Sequence, residues 1–152
     1  SPDHPRTVHL CGRCGARGLP VLFHCGPVGI EPKAAARRSQ VERYERTISE
    51  NPGTTFVLGH SGALQYDQAI RFADRYPNTY FELSCLGLAA LRQVIDAVPA
   101  DRLLYGTDWP FYHQALTLAR VLIATEGDPS LRRAILHDNA VGLLGSFEVT
   151  AG

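Results

Sequence analysis

LPVLFHC, residues 19–25, is a short run of branched and aromatic side chains that stops at a histidine and a cysteine. A strand covered on both faces reads this way, because neither face needs a polar partner. Three more segments have the same character: TTFVLG (54–59), TYFEL (79–83) and RLLY (102–105). Between them lie stretches with helical patterning. Arg6 to Arg17 carries helix formers and stops at Gly18. Pro32 to Glu50 starts at a proline and ends before Pro52 and Gly53, which predicts one helix. Leu64 to Arg75 is amphipathic and is closed by Tyr76-Pro77-Asn78. Leu88 to Val98 ends at Pro99. His113 to Glu126 and Ser130 to Gly145 are helical, with a break at Gly127-Asp128-Pro129. The order is one helix followed by four strand–helix units. Alternation of this kind implies an α/β fold with parallel strands and right-handed crossovers. No linker or low-complexity tract divides residues 1–152, so the chain reads as a single domain.

The bulk composition fits that reading. The chain has 152 residues, 45% apolar and 20% charged, which is the balance of a packed globular domain. Formal net charge is zero, without the basic excess expected of a nucleic-acid binder. No apolar run approaches the roughly 20 residues of a membrane span. Four cysteines are too few for a disulfide scaffold of this length. A reducing, cytoplasmic setting is therefore expected, with a small-molecule substrate and neither nucleic acid nor membrane as partner.

Three of the four strands stop at a reactive residue: His24, His60 and Asp108. In parallel α/β folds the C-terminal edge of the sheet is where sites are built. Imidazoles and a carboxylate aimed into one mouth can hold a divalent cation and tune its water. Asp108 can also accept a proton from that water. Tyr80, Glu82 and Ser84 share one strand face by the period-two rule, which makes Glu82 a candidate for orienting a histidine from behind. Trp109 follows Asp108 and is expected to wall the pocket. Cys25 falls on the face opposite His24 and reads as structural.

Several stretches resemble motifs of the amidohydrolase-related metal-dependent hydrolases: GLPVLFHCG (18–26), FVLGHSG (56–62), YFELS (80–84), RLLYGTDWPF (102–111) and ILHDNAVGLLG (135–145). That family includes aminocarboxymuconate-semialdehyde decarboxylase and several lactone hydrolases. The resemblance implies the last four strands of a TIM-like (β/α)8 barrel, that is, a half barrel. It implies His24 as a metal ligand, His60 as a residue contacting substrate or metal, and Asp108 as metal ligand and proton acceptor. Zinc is the expected ion, with manganese as the other choice. The expected activity is hydrolysis or decarboxylation of a small carboxylated ring, lactone or amide. The family's first-strand His-x-His pair has no counterpart here. His24 and Asp108 alone would give two protein ligands, whereas catalytic zinc usually takes three. A half barrel also leaves two sheet edges and an open core. This chain is therefore expected to supply part of an active site, completed by a homo-oligomer or by a missing N-terminal half.

Two other readings compete. Gly59-His60-Ser61-Gly62-Ala63 is similar to a nucleophile elbow, and Ser61, Asp108 and His137 fall in the order of an α/β-type serine hydrolase. Cys11 and Cys14 form a C-x-x-C, with His4 and His9 nearby, and could make a small zinc-stabilised interaction module. In a helix the two cysteines would instead be i, i+3 neighbours on one face.

Overall fold

The computed structural model describes residues 1–145. Four short strands form one parallel sheet in chain order: β1 (Val21–His24), β2 (Phe56–Gly59), β3 (Thr79–Glu82) and β4 (Leu103–Leu104). The register places Phe23 beside Leu58, Leu58 beside Phe81, and Phe81 beside Leu103. That row faces the helices, and Leu58, Phe81 and Leu103 are fully buried in it. The alternate row runs through Leu22, Val57 and Tyr80, with His24 and Glu82 further along the strands. It forms the opposite face, which is open at the β1 end, where Leu22 is 69% exposed.

The helices are α1 (Pro5–Gly15), α2 (Lys33–Arg38), α3 (Glu45–Glu50), α4 (Tyr66–Arg75), α5 (Leu88–Ala97), α6 (Gln114–Ala124), α7 (Pro129–Arg133) and α8 (Asn139–Leu144). Their inner faces supply Cys11, Ile48, Ala69, Phe72, Leu91, Val94 and Val121 to the core behind the sheet. Fully burying an aliphatic or aromatic side chain contributes about 1.5–3 kcal/mol, so this layer holds the sheet flat against its helices. Among the described residues no helix is long and apolar enough to cross a membrane.

Three expectations are corrected in detail. The single helix over 32–50 is broken into α2, a 3-10 turn at Val41–Tyr44, and α3. Gln40 is extended there (φ −54°, ψ 132°), and the Val41 N–H donates to Gln65 Oε1 at 3.0 Å. The Gly26 N–H donates to the Ser39 carbonyl at 2.7 Å. These tertiary bonds to the loops at the strand ends replace the helical ladder. The helix over 130–145 carries a π-helical turn at Ala134–Asp138. The Ile135 carbonyl accepts from the Tyr105 N–H at 3.1 Å, which draws it off the ordinary ladder. Asn139 then donates to the carbonyls of Ala100 (2.7 Å) and Leu103 (2.8 Å), tying α8 to the start of β4. Finally, β4 is two residues rather than four, because Arg102 belongs to a 3-10 turn and Tyr105 bonds to Ile135.

Candidate active site

Each strand hands the chain to a loop at the same edge of the sheet, and the loops meet there. The cavity at this edge has a volume of about 410 Å³ and is lined by His24, Gly59, His60, Glu82, Ser84 and Asp108, among others. The expected trio of His24, His60 and Asp108 is thus gathered at one mouth. Trp109 is not among the lining residues and is 62% exposed.

The backbone at this edge is unusual. His60 (φ 63°), Ser61 (46°), Ala63 (48°), Cys85 (63°) and Asp108 (55°) all lie in the left-handed region. These are all the non-glycine residues with positive φ among those described. Each such residue costs on the order of 1 kcal/mol or more and persists only where the surroundings impose it. Strain gathered at one edge marks a constrained site.

Glu82 bonds directly into two of these turns. Its Oε2 accepts the backbone N–H of His60 at 2.9 Å and the Ser84 hydroxyl at 2.7 Å, and its Oε1 accepts the Ser84 N–H at 2.8 Å. Ser84 Oγ lies 2.6 Å from His60 Nδ1. The hydroxyl has one proton, and it goes to the carboxylate. Nδ1 of His60 must then carry the ring proton and donate to Ser84, or two lone pairs would face each other. Nε2 of His60 is left with a lone pair, 3.0 Å from His24 Nδ1. Glu82 thus orients a histidine from behind, through Ser84 and through the histidine's own backbone. Gly106 makes room for this carboxylate: a Cβ there would lie 1.8 Å from Glu82 Oε1. Gly106→Ala should displace it and destabilise the fold by about 1–3 kcal/mol, read as a lower urea midpoint. Gly26 has a related role on the β1 side. Its φ is +82°, and a Cβ would lie 1.8 Å from the Gly62 carbonyl oxygen.

His60, Cys85 and Asp108 offer donor atoms that all lie within 4.8 Å of one another. Among the described residues this is the one group of three His, Cys, Asp or Glu side chains so arranged. Imidazole nitrogen, thiolate sulfur and carboxylate oxygen suit zinc and other first-row divalent ions, so the donor set fits the metal that the sequence implies. His24 stands one hydrogen bond further out and meets this group through His60. Cys85 Sγ donates to Asp108 Oδ2 at 3.1 Å. Burial, and then the Asp108 carboxylate, push the Cys85 thiol up to about 12. Sequence reasoning passed over Cys85, because it lies in a turn beyond β3 rather than at a strand end. The usable signal was positional: β3 otherwise lacked the reactive residue that follows the other three strands.

Loss of solvent around the ring, and then the neighbouring His60, lower the pKa of His24 from 6.5. Below about pH 6.5 the unfolded chain therefore binds more protons at this position than the folded chain does. Its contribution to stability is intact above 6.5 and falls away as pH drops through the lowered value. The melting temperature should decline over that acid window, and His24→Gln should flatten the decline. An unchanged slope in the variant would contradict this assignment.

The competing arrangements are not formed. Ser61 is fully buried and donates to the Glu82 carbonyl at 2.9 Å, so its hydroxyl is committed to the β3 backbone. His137 sits on the π-helical turn and pairs with its neighbour Asp138 at 2.7 Å. Ser61, Asp108 and His137 therefore make no triad. Cys11 and Cys14 lie on α1, with Cys11 2% exposed in the core. Neither they nor His4 and His9 belong to a group of three potential ligands among the described residues. His4 instead accepts from the Arg6 N–H and caps α1. Cys25 is fully buried, and burial alone raises its thiol pKa, as a structural role requires.

The sequence model of the amidohydrolase family matches residues 1–146. No curated protein matches the sequence. Among solved structures, a TIM-barrel protein from Bordetella bronchiseptica is similar at 27% identity and a TM-score of 0.77, over 95% of this chain and 52% of its own. The 2,6-dihydroxybenzoate decarboxylase from Rhizobium is similar in fold at 19% identity and a TM-score of 0.70, over 95% and 56%. A dihydroxybenzoic acid decarboxylase from Polaromonas, solved with manganese and the inhibitor 2-nitroresorcinol, gives 19%, 0.70, 94% and 55%. The chain thus spans about half the length of the structures it matches, and its four strand–helix units correspond to part of a TIM barrel. On the match across 1–146, the chain belongs to the amidohydrolase family.

Proposed function

We propose that this chain supplies part of the active site of a metal-dependent hydrolase or decarboxylase acting on a small carboxylated ring, lactone or amide. The observation that carries the reading is the convergence of His24, His60 and Asp108 on one cavity at the C-terminal edge of a parallel sheet. A divalent ion there, zinc or manganese, would polarise the substrate's carbonyl or carboxylate and acidify a bound water. Asp108 would serve as the proton acceptor for a water in the mouth, or, once protonated, as the donor to the ring carbon as carbon dioxide leaves. With its Nδ1 proton committed to Ser84, His60 presents a lone pair at Nε2. In this state Nε2 can ligate a metal or accept a hydrogen bond, which keeps His60 a residue contacting substrate or metal. His24 closes the β1 side of the mouth. The decarboxylases similar in fold favour a carboxylated aromatic ring over a lactone or amide.

The open face around Leu22 belongs to the same proposal. In the working protein it is covered by a second copy or by a further barrel segment, since an exposed apolar sheet face and edge invite association. The test pairs metal analysis of the full chain with turnover. The chain is loaded with zinc or manganese, dialysed, and offered dihydroxybenzoates and simple lactones while carbon dioxide release and ring opening are followed. Retained metal and turnover of one class support the reading. A chain that retains no metal and behaves as a monodisperse, cooperatively unfolding monomer would overturn it.

A further inference from the structure

α1 presents to solvent a row of positive charge that the rest of the fold does not answer. Arg6, Leu10, Arg13 and Arg17 follow one another at helical spacing, on the face opposite Val8 and Cys11, the two residues that α1 buries. Arg17 lies just past the last turn, and its guanidinium donates to the Arg13 carbonyl at 3.3 Å, which keeps it in line. With His9 and Leu19 these residues line a groove of about 560 Å³ that no acidic side chain enters. All six are exposed, Leu10 by 61% and Leu19 by 43%. Elsewhere the fold pairs its arginines, as in Arg43 with Asp3, Arg46 with Glu50 and Arg75 with Glu45. None of the three in this row has an acidic partner among the described residues. A solvated helix face usually mixes the two signs, whereas α1 holds no aspartate or glutamate at all. Arg13 and Arg17 suit the negative end of the helix dipole, but they repel each other at i, i+4. Arg6 stands in the first turn, where a carboxylate is favoured and a cation opposes the dipole. The chain has 15 acidic and 15 basic residues, so this excess is local.

We propose that this face of α1 docks an acidic amphipathic helix of a partner polypeptide. Carboxylates at i, i+7 and i+11 on that helix meet Arg6, Arg13 and Arg17 over roughly 16 Å. Each guanidinium can take a carboxylate through two parallel N–H bonds. Leu10 and Leu19 select apolar residues on the same face of the partner, as a helix laid along a groove supplies them. The mixture of side chains decides among polyanions. A nucleic acid brings bases that stack on aromatic rings, and no aromatic side chain lines this groove. An anionic bilayer takes up a broad apolar face, whereas here one leucine stands among three arginines and the apolar side of α1 is spent on the core. The proposal is independent of the metal-centre reading, since α1 contributes no residue to the mouth.

The test is fluorescence anisotropy of a labelled helical peptide of about 18 residues, long enough to hold its own turns. It carries glutamates at i, i+7 and i+11 with leucines between them, and is titrated with the full chain. Saturable binding is expected. Each exposed ion pair is worth a few-fold, so the combined Arg6→Gln, Arg13→Gln and Arg17→Gln variant should bind roughly tenfold more weakly or worse. It should melt no lower than the wild type, because these arginines pair with no acid in the fold. Leu10→Ser should weaken binding about fivefold or more. Cys14 lies in the same groove and is partly accessible, so its alkylation by iodoacetamide should be largely lost at saturating peptide. A peptide of the same composition, with its glutamates and leucines scrambled off one face, should bind at least about tenfold more weakly. Equal binding of the scrambled peptide would overturn the proposal in favour of unspecific charge attraction. Tighter binding of a short DNA duplex, or of phosphatidylserine vesicles, would overturn it in favour of a nucleic acid or a membrane surface. Unchanged affinity in the arginine variant, or an unprotected Cys14, would show that the peptide sits elsewhere and overturn the site. No binding up to about 1 mM would overturn it outright.

Discussion

Asp108→Asn should abolish stable metal retention and lower turnover by about a thousandfold or more. The amide is nearly isosteric with the carboxylate, so the turn at φ 55° can survive, all the more because asparagine tolerates the left-handed region well. The charge does not survive. An amide oxygen is a weak partner for a hard divalent ion, and it cannot accept the proton that Asp108 is asked to take. General base catalysis alone contributes 10²- to 10⁴-fold, so losing it together with the metal charge puts the expected effect toward the upper end. Metal content after dialysis and the rate of carbon dioxide release measure the two parts separately. Retained metal with lost turnover would make Asp108 a base only. Unchanged metal and unchanged rate would remove it from the site. The melting temperature should move little, because Asp108 accepts from Cys85 in a partly open mouth rather than from buried backbone.

The parts of this molecule that the sequence made legible are those where one physical requirement dominates. The parallel strands read clearly because Phe23, Leu58, Phe81 and Leu103 must be apolar to pack under the helices, while the opposite row need not alternate. His24, His60 and Asp108 were legible because strand ends in a parallel sheet share one edge. What escaped was set by tertiary hydrogen bonds between distant segments. The break at Gln40 depends on Gln65, and the π-helical turn depends on the Tyr105 N–H. Neither partner can be inferred from local pattern. The likeness of 59–63 to a nucleophile elbow had a physical basis. Both structures turn sharply from strand to helix through left-handed residues, and Ser61 (φ 46°) and Gly62 (φ 86°) do so here. The side chain decides between them, and Ser61 Oγ points to the β3 backbone. Glu82 was readable as a residue behind a histidine. That it acts through Ser84 and the His60 N–H was not, because that depends on Ser84 leaving the strand for the turn.

Glu82→Ala should cost about 3–5 kcal/mol of stability, a large fraction of the 5–15 kcal/mol of an ordinary domain. The side chain is 15% exposed and accepts from the His60 N–H, the Ser84 N–H and the Ser84 hydroxyl. Each buried donor left without a partner costs about 1–3 kcal/mol. The three losses are not fully additive, since the Ser84 hydroxyl can donate to His60 Nδ1 once the ring proton moves to Nε2. The larger consequence is local. The carboxylate bonds hold the His60 and Ser84 backbones in place, and the left-handed residues His60 and Cys85 depend on that hold. Without it these turns can relax, and the donors they aim would diverge. Glu82→Gln separates the two effects. Its oxygen can still accept one or two of the donors, but its NH₂ faces the others, so an intermediate loss of about 1–3 kcal/mol is expected. Urea unfolding at constant slope measures the stability change, and metal affinity measures the aim of the site. Affinity should fall ten- to hundredfold in Glu82→Gln even where the fold persists. A Glu82→Ala chain within about 1 kcal/mol of wild type would mean that the strained turns are held by packing around Leu83 and Ser61 instead, and that the carboxylate is incidental.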